Sequence, residues 1–231
     1  MPVISNILLE IDFEEITKFL PFLKSERLDS SGKQLAQNLV SQIEKNNILK
    51  PVASYETLWI INIVDDKIYL KGGEVITGSL PASLFKSARE LVVLVFTLGK
   101  ELDELVEFYS RNKEITKSVL LGEMGNYWLH TLSLKVFKMI KNVIETKGLF
   151  ISNPLAPGFS GFEVEEQGKI FQLASGKDIG MRLTTGFMLY PRNSLSMVMG
   201  VSDSPFSGTE KSFCYYCQNY ENCQYSHEFS L

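Results

Sequence analysis

The chain has 231 residues, of which 45% are hydrophobic and 22% charged, and its formal net charge at pH 7 is −4. This length suits one large domain or two small ones and is ample for a buried core. The negative balance argues against a nucleic-acid partner, because phosphate binding needs clustered Lys and Arg. The start lacks the basic region of a signal peptide, and the longest apolar run, residues 91–98, is too short to span a membrane. We therefore expect a cytoplasmic protein with reduced thiols and no membrane partner.

The first part of the chain predicts two helices. Residues 13–23 form the first, a short one, and Ser31 and Gly32 open the second, which ends before Pro51. One face of the second helix carries the apolar residues Leu35, Leu39, Val40 and Ile43.

The middle of the chain predicts strands followed by helices. Residues 55–64 are rich in aromatic and β-branched side chains, and after a turn the chain returns from Ile68 towards a further strand at Val75. Residues 91–96 are apolar at every position, which indicates a strand buried on both faces. Helices are expected at residues 80–90, 100–110 and 114–147, with Gly122 and Gly125 as weak points in the longest and Gly148 as its C-cap.

The last part opens with a loop at residues 153–161, followed by a helix at 163–173, a turn at 178–180 and strands at 181–184 and 195–201. Strands separated by helices of unequal length predict a mixed or antiparallel sheet flanked by helices, and not a doubly wound one. We expect residues 1–201 to form this domain. Residues 202–231 would then form a cysteine-rich C-terminal tail.

Residues 153–161 hold two prolines and two glycines, so they predict a shaped loop and not a regular element. Such a loop can present backbone N–H and C=O groups to a small polar molecule, or it can be a structural crossover. Glu123 is either an interior carboxylate at a helix break or an exposed residue. His130, one of two histidines, is read as a partly buried side chain in preference to a ligand.

All three cysteines lie in the tail, as Cys214, Cys217 and Cys223, and His227 follows. Two thiolates on a C-x2-C turn reach one metal ion together, and the later Cys and His would complete a tetrahedral zinc site. Three thiolates would equally hold an iron-sulfur cluster with one iron open to another ligand. The alternative is a set of ordinary reduced thiols.

Several segments together resemble the activation domain of cobalamin-dependent methionine synthase. They follow the family's order of a proline-glycine-aromatic loop, a helix, an Ile-Gly-Met-x-Leu-Thr strand and a Met-x-Pro-x-x-Ser-x-Ser turn. The segments are Ala156-Pro157-Gly158-Phe159 and residues 167–171, 179–184 and 188–196, with further family features at 55–75, 96–99 and 121–126. The resemblance spans about residues 11–201 and corresponds to a stand-alone short form.

The resemblance implies a fold, a partner and a ligand site. In the family this domain binds S-adenosylmethionine and caps the corrinoid, so Ala156, Pro157, Gly158, Phe159 and Glu123 become the expected cofactor-binding residues. The fold implied is α+β, with a mostly antiparallel sheet flanked by helices, and the strands that begin at Tyr55, Ile68, Leu91, Met181 and Leu195 are expected in that one sheet.

Three positions depart from the family pattern. Pro154 stands where the family has an arginine that contacts S-adenosylmethionine, a carboxylate of the family falls near His130, and the tyrosine-bearing strand is shortened to residues 200–203. S-adenosylmethionine binding is therefore expected to be weak or absent, since the planar bidentate donor suited to a carboxylate is gone.

The sequence and the resemblance lead to three hypotheses about function. The leading hypothesis is an accessory protein that works in trans on a corrinoid-binding methyltransferase, such as methionine synthase, and helps return its cobalamin to the active state. The alternative is an iron-sulfur or zinc interaction module on the same scaffold, without methyl or electron transfer. The third, a free S-adenosylmethionine-binding enzyme, is disfavoured by Pro154.

Overall fold

The computed structural model describes residues 2–20, 30–207, 213–217 and 220–222. Six α-helices lie within these residues: α1 Phe13–Phe19, α2 Ser30–Lys45, α3 Ser79–Leu84, α4 Glu101–Arg111, α5 Ile115–Glu145 and α6 Gln167–Leu173. Short 3-10 turns occur at Val164–Glu166, Gly176–Ile179, Phe213–Tyr216 and Tyr220–Asn222. No helix in this part of the chain combines the length and apolarity needed to cross a membrane.

Nine strands complete the described fold: β1 Val3–Ile4, β2 Val52–Val64, β3 Lys67–Leu70, β4 Val75–Thr77, β5 Glu90–Thr97, β6 Phe150–Ile151, β7 Arg182–Leu183, β8 Leu189–Tyr190 and β9 Ser194–Ser202. Seven of them form one sheet in the order β4-β3-β2-β5-β9-β6, with β1 paired to β2. Every pair in that sheet is antiparallel. The predicted α+β fold with a mostly antiparallel sheet flanked by helices is confirmed.

Strand β5 is the centre of the sheet because its side chains are apolar on both faces. Val92, Leu94 and Phe96 join a core cluster with α1, α2, α4 and α5, which we call the α5-side cluster. On the opposite face, Leu91, Val93 and Val95 join a second cluster with α3, α6 and the loop that precedes α6, which we call the α6-side cluster. Burying each such side chain contributes about 1.5–3 kcal/mol. The prediction of a doubly buried strand is confirmed.

The longest predicted helix is present without a break. Helix α5 runs 31 residues through Gly122 and Gly125, so neither glycine interrupts it. The chain turns after it at Gly148, whose φ of 73° lies in the left-handed region that favours glycine. The C-cap itself is Thr146, two residues before the expected position.

Two predictions for other elements are corrected by long-range contacts. The helix expected at residues 80–90 ends at Leu84, because Arg89 already exchanges sheet-like hydrogen bonds with Ile60 and Val201. The strand expected from Met181 is shorter and pairs only with β8, in a separate two-stranded sheet. Met181 and Leu189 are buried in the α6-side cluster, so this hairpin covers the main sheet instead of extending it.

Candidate functional site at the sheet edge

The loop predicted to bind a ligand begins as an extension of the sheet edge. Leu155 N–H donates to Val198 O at 2.9 Å, and Val198 N–H donates back to Leu155 O at 2.8 Å. The backbone of Leu155 is therefore fixed beside the middle of β9, just past the end of β6. The predicted irregular loop is confirmed, and its first residues are held by the sheet.

The four residues predicted to bind a cofactor lie at the boundary between the two core clusters. Ala156 packs against the α5-side cluster, and Phe159 packs against the α6-side cluster. Gly158 is exposed, at φ 96°, with no atom within 4 Å of the position that a Cβ would take. The loop therefore has two anchored ends and an open tip at Gly158.

Hydrogen bonds within the loop limit what it offers to a ligand. Gly158 N–H donates to Phe162 O at 2.7 Å, and Phe159 N–H donates to Ala156 O at 3.3 Å. Pro157 has no N–H. A ligand at the tip would therefore meet chiefly carbonyl acceptors and the bare backbone of Gly158, and an anion would gain little from this loop.

Pro154, which the sequence resemblance aligns with a ligand-binding arginine, is buried. Its ring fills space within the fold, and it carries no donor that a carboxylate would accept from. The sequence-based expectation of weak S-adenosylmethionine binding rests on this position.

Glu123 lies on α5, which runs through this position without a break. Its side chain is partly exposed, so it is not a carboxylate at a helix break. Gly125 packs against Asn193 directly before β9, and Glu123, two residues earlier, lies on a different face of the helix. The Ala156 loop is instead attached to the middle of β9 through Leu155 and Val198. A site shared by Glu123 and this loop therefore stays a prediction.

His130 is partly buried in α5, as predicted. Burial lowers the pKa of this imidazole to about 3, so the side chain is neutral at physiological pH. The imidazole therefore offers no charge to a ligand at this position.

Several residues that carry the family resemblance hold the scaffold together. Ser194 Oγ donates to Thr97 Oγ1 at 2.8 Å, and Gly99 N–H donates to the same oxygen at 3.1 Å. On the same face of β9, Ser196 Oγ donates to Gln167 Oε1 at 3.0 Å, and Gln167 Nε2 donates to Phe187 O. These contacts join β5, β9 and α6, which explains why the motif residues occur together without assigning them chemistry.

The first two predicted metal ligands lie on a turn that is anchored to the same sheet edge. The backbone of Cys214 belongs to the 3-10 turn Phe213–Tyr216, and Cys217 follows as a partly exposed free thiol. Tyr216 packs against the α6-side cluster and lines a crevice with Asn153 and Leu155. The structure thus brings the C-x2-C turn beside the start of the loop.

The other two predicted ligands, Cys223 and His227, lie outside the described residues. Within the described part of the chain, no group of three or more His, Cys, Asp or Glu side chains is arranged to hold a metal ion. The metal site therefore stays a prediction.

Sequence reasoning missed the residues that dock this turn. Phe206 is 7% exposed and meets Phe85 edge-to-face, with ring centroids 6.5 Å apart. Tyr216 lines the same crevice as Phe206. The available signal was the aromatic content of the tail, where Tyr215 and Tyr216 separate the first two cysteines.

Comparison with known proteins identifies the fold. No protein-family model and no curated protein sequence matches the chain. Among solved structures, the chain is similar to the MetH reactivation domain bound to AdoHcy, with a TM-score of 0.65 and 15% sequence identity. The match covers 86% of this chain and 77% of that chain. The predicted resemblance and the fold class are confirmed, and at this identity the match shows a shared fold.

Proposed function

We propose that this chain is an accessory protein for the reductive reactivation of a corrinoid methyltransferase that binds it in trans. The observation that carries the proposal is the shared fold over 86% of the chain with the MetH reactivation domain. The anchored Ala156 loop provides a second line of support, because its exposed Gly158 tip offers bare backbone to a partner.

The chemistry of reactivation defines what such a protein must do. Reduction of Co(II) in a corrinoid is uphill, and a bound partner shifts that equilibrium only by its differential affinity for the two states. The chain would therefore bind more tightly to the corrinoid conformation that accepts an electron. The proposed docking surface comprises the Gly158 tip and the C-x2-C turn, whose Tyr216 lies beside Asn153 and Leu155 at the start of the loop.

The proposal is tested by mixing the chain with a corrinoid methyltransferase trapped as Co(II), a low-potential reductant and a methyl donor. We expect the wild-type chain to accelerate return of the methyl-Co(III) absorption spectrum. Gly158→Gln should slow it about tenfold by placing a side chain at the docking tip. Gly73→Gln is the matched control, because Gly73 has a similar φ of 95° and, like Gly158, has open space around it.

Equal rates with and without the chain would reject the proposal, and equal loss in both glycine variants would reject the docking surface.

Titration calorimetry measures the affinity for S-adenosylmethionine separately. We propose that S-adenosylmethionine binds weakly or not at all, because Pro154 is buried and supplies no donor. Micromolar binding to the wild-type chain would contradict this.

A metal-binding interaction module is the second candidate function. It is favoured by the anchoring of the C-x2-C turn, since Tyr216 holds it against the core next to Leu155. In this case Cys214, Cys217, Cys223 and His227 would bind zinc or an iron-sulfur cluster, and the chain would neither transfer methyl groups nor electrons. Iron with a brown chromophore favours a redox role, and colourless zinc favours the interaction module.

A further inference from the structure

A groove runs along the C-terminal part of α5 beside the open edge of the sheet. Its cavity volume is about 570 Å³. One wall is formed by Phe137, Lys138 and Lys141 on α5, and the opposite wall by Phe150 on β6 together with Phe206. Cavities of roughly 300–1,000 Å³ hold drug-sized ligands, so this groove has the size of a small-molecule site.

The groove has an aromatic wall that the fold leaves accessible. Phe150 is 41% exposed although it belongs to the sheet, because β6 has two residues and is the edge strand. Phe206 is held in place by its edge-to-face contact with Phe85. Fixed and accessible rings of this kind provide apolar surface for a flat ligand at little entropic cost.

The helical wall carries positive charge. Lys138 and Lys141 are three residues apart on α5 and therefore lie on the same face. Lys141 pairs with Glu145 at 3.8 Å, while no carboxylate within the described residues forms an ion pair with Lys138. Two lysines against one glutamate leave a net positive charge in a groove of a chain whose overall charge is −4.

We infer that this groove binds a small aromatic anion, with the anionic group at Lys138 and Lys141 and the ring system against Phe150. This inference goes beyond the proposed function, because none of these residues belongs to the Ala156 loop or to the cysteine turn. The same charge disfavours a sulfonium cation such as S-adenosylmethionine, since like charges repel.

A pair of fluorescent probes tests the inference on the full chain. We use 8-anilinonaphthalene-1-sulfonate, an aromatic anion, and N-phenyl-1-naphthylamine, which has the same rings without the sulfonate. The anionic probe should bind saturably at one site and more tightly than the neutral probe. Raising the salt concentration should weaken the anionic probe alone, because these charges are exposed to solvent.

Substitutions then locate the site. Replacing both lysines, Lys138→Gln with Lys141→Gln, should weaken the anionic probe roughly tenfold, about threefold for each exposed charge contact. The neutral probe should be unaffected by that change, whereas Phe150→Ala should weaken both probes. Lys147→Gln is the matched control, because Lys147 is exposed beyond the same helix and does not line the groove.

The inference is overturned if the double lysine variant binds the anionic probe as tightly as the wild type. It is equally overturned if the neutral probe binds the wild-type chain as tightly as the anion. Both lysines are exposed, so the variant is expected to fold, and unchanged circular dichroism checks that. Because Gly158→Gln leaves the groove intact, it should bind the probe normally even if reactivation fails.

Discussion

At the scale of single residues, His130 is the clearest link between burial and charge. Burial lowers the pKa of its imidazole to about 3, compared with 6.5 in an unfolded chain. Between these values the unfolded state takes up a proton that the folded state does not. Stability is therefore fully present above about pH 6.5 and falls as the pH drops towards 3.

This gives a pH prediction. The free energy of unfolding should fall by roughly 2–3 kcal/mol more in the wild type than in His130→Gln between pH 7 and pH 4, allowing for the partial exposure of the ring. Urea titrations of both proteins across this range measure the difference. Parallel pH curves for the two proteins would show that His130 titrates normally in the folded state.

Asp103 is a buried carboxylate, and burial shifts its pKa in the direction opposite to that of His130. Burial raises its pKa, while a hydrogen bond from Arg192 N–H to Asp103 Oδ2 at 2.5 Å opposes that shift. The bond fixes the turn before β9 to helix α4. The buried carboxyl group is retained here because it satisfies a backbone donor.

At the scale of elements, a glycine allows the long helix α5 to pack closely against the residue that precedes β9. A Cβ at Gly125 would overlap the side-chain amide of Asn193, so the helix approaches the strand closely only without a side chain there. Gly122, one turn earlier, has no atom within 4 Å of its Cβ position. The two glycines of the same helix therefore have opposite physical roles.

The contrast predicts opposite effects of the same substitution. Gly125→Ala should destabilise the fold by about 1–3 kcal/mol, because the added methyl group forces Asn193 or the helix to shift. Gly122→Ala should stabilise it by up to about 1 kcal/mol through helix propensity alone. Thermal unfolding of both variants measures the pair, and a stable Gly125→Ala protein would show that Asn193 moves freely.

The edge strand β4 is protected by side chains of the segment around α6. Glu166 Oε2 accepts from Thr77 N–H at 3.1 Å, and Lys169 Nζ donates to Val75 O at 2.9 Å. The two side chains also pair with each other at 2.8 Å. Glu166 and Lys169 thus bind backbone groups of β4 that another strand could otherwise pair with, and this protects the edge strand from aggregation.

At the scale of the whole molecule, the chain after β9 returns to the sheet. Gly200 provides the space, because a Cβ there would lie 3.0 Å from Phe85 and 3.1 Å from Phe206. Tyr216 packs on the same cluster as Phe85 further along the chain. The cysteine turn is therefore held by aromatic contacts that do not depend on a metal.

This arrangement sharpens the metal prediction. Cys217→Ser should lose a stoichiometric metal while the unfolding transition of the core stays within about 0.5 kcal/mol of the wild type, since its apolar contacts are untouched. Metal analysis and absorption spectra of anaerobically purified protein measure occupancy. Full occupancy in the serine variant, or no iron or zinc in the wild type, would leave Cys214, Cys217 and Cys223 as ordinary thiols.

Prediction from sequence succeeded where local pattern and burial agree. Residues 91–96 are apolar throughout and form most of the central strand β5, and Leu39, Val40 and Ile43 lie on the buried face of α2. It failed where a distant partner decides: Arg89 joins the sheet instead of extending α3, and Met181 joins a separate hairpin. Periodicity reports which face is apolar, and it carries no information on what covers that face.

The amino-acid sequence by itself determined most of the helices and strands, because these follow from local periodicity. Its ordered short motifs determined the family resemblance, which implies the antiparallel α+β class. The tertiary structure alone decided that the cysteine turn lies beside the start of the Ala156 loop, and that Lys138 and Lys141 face Phe150 across a groove. Phe206 also lines that groove, although it lies more than 60 residues after either lysine in the chain. Such neighbours are set by how complete faces pack together, and short-range spacing does not encode that packing.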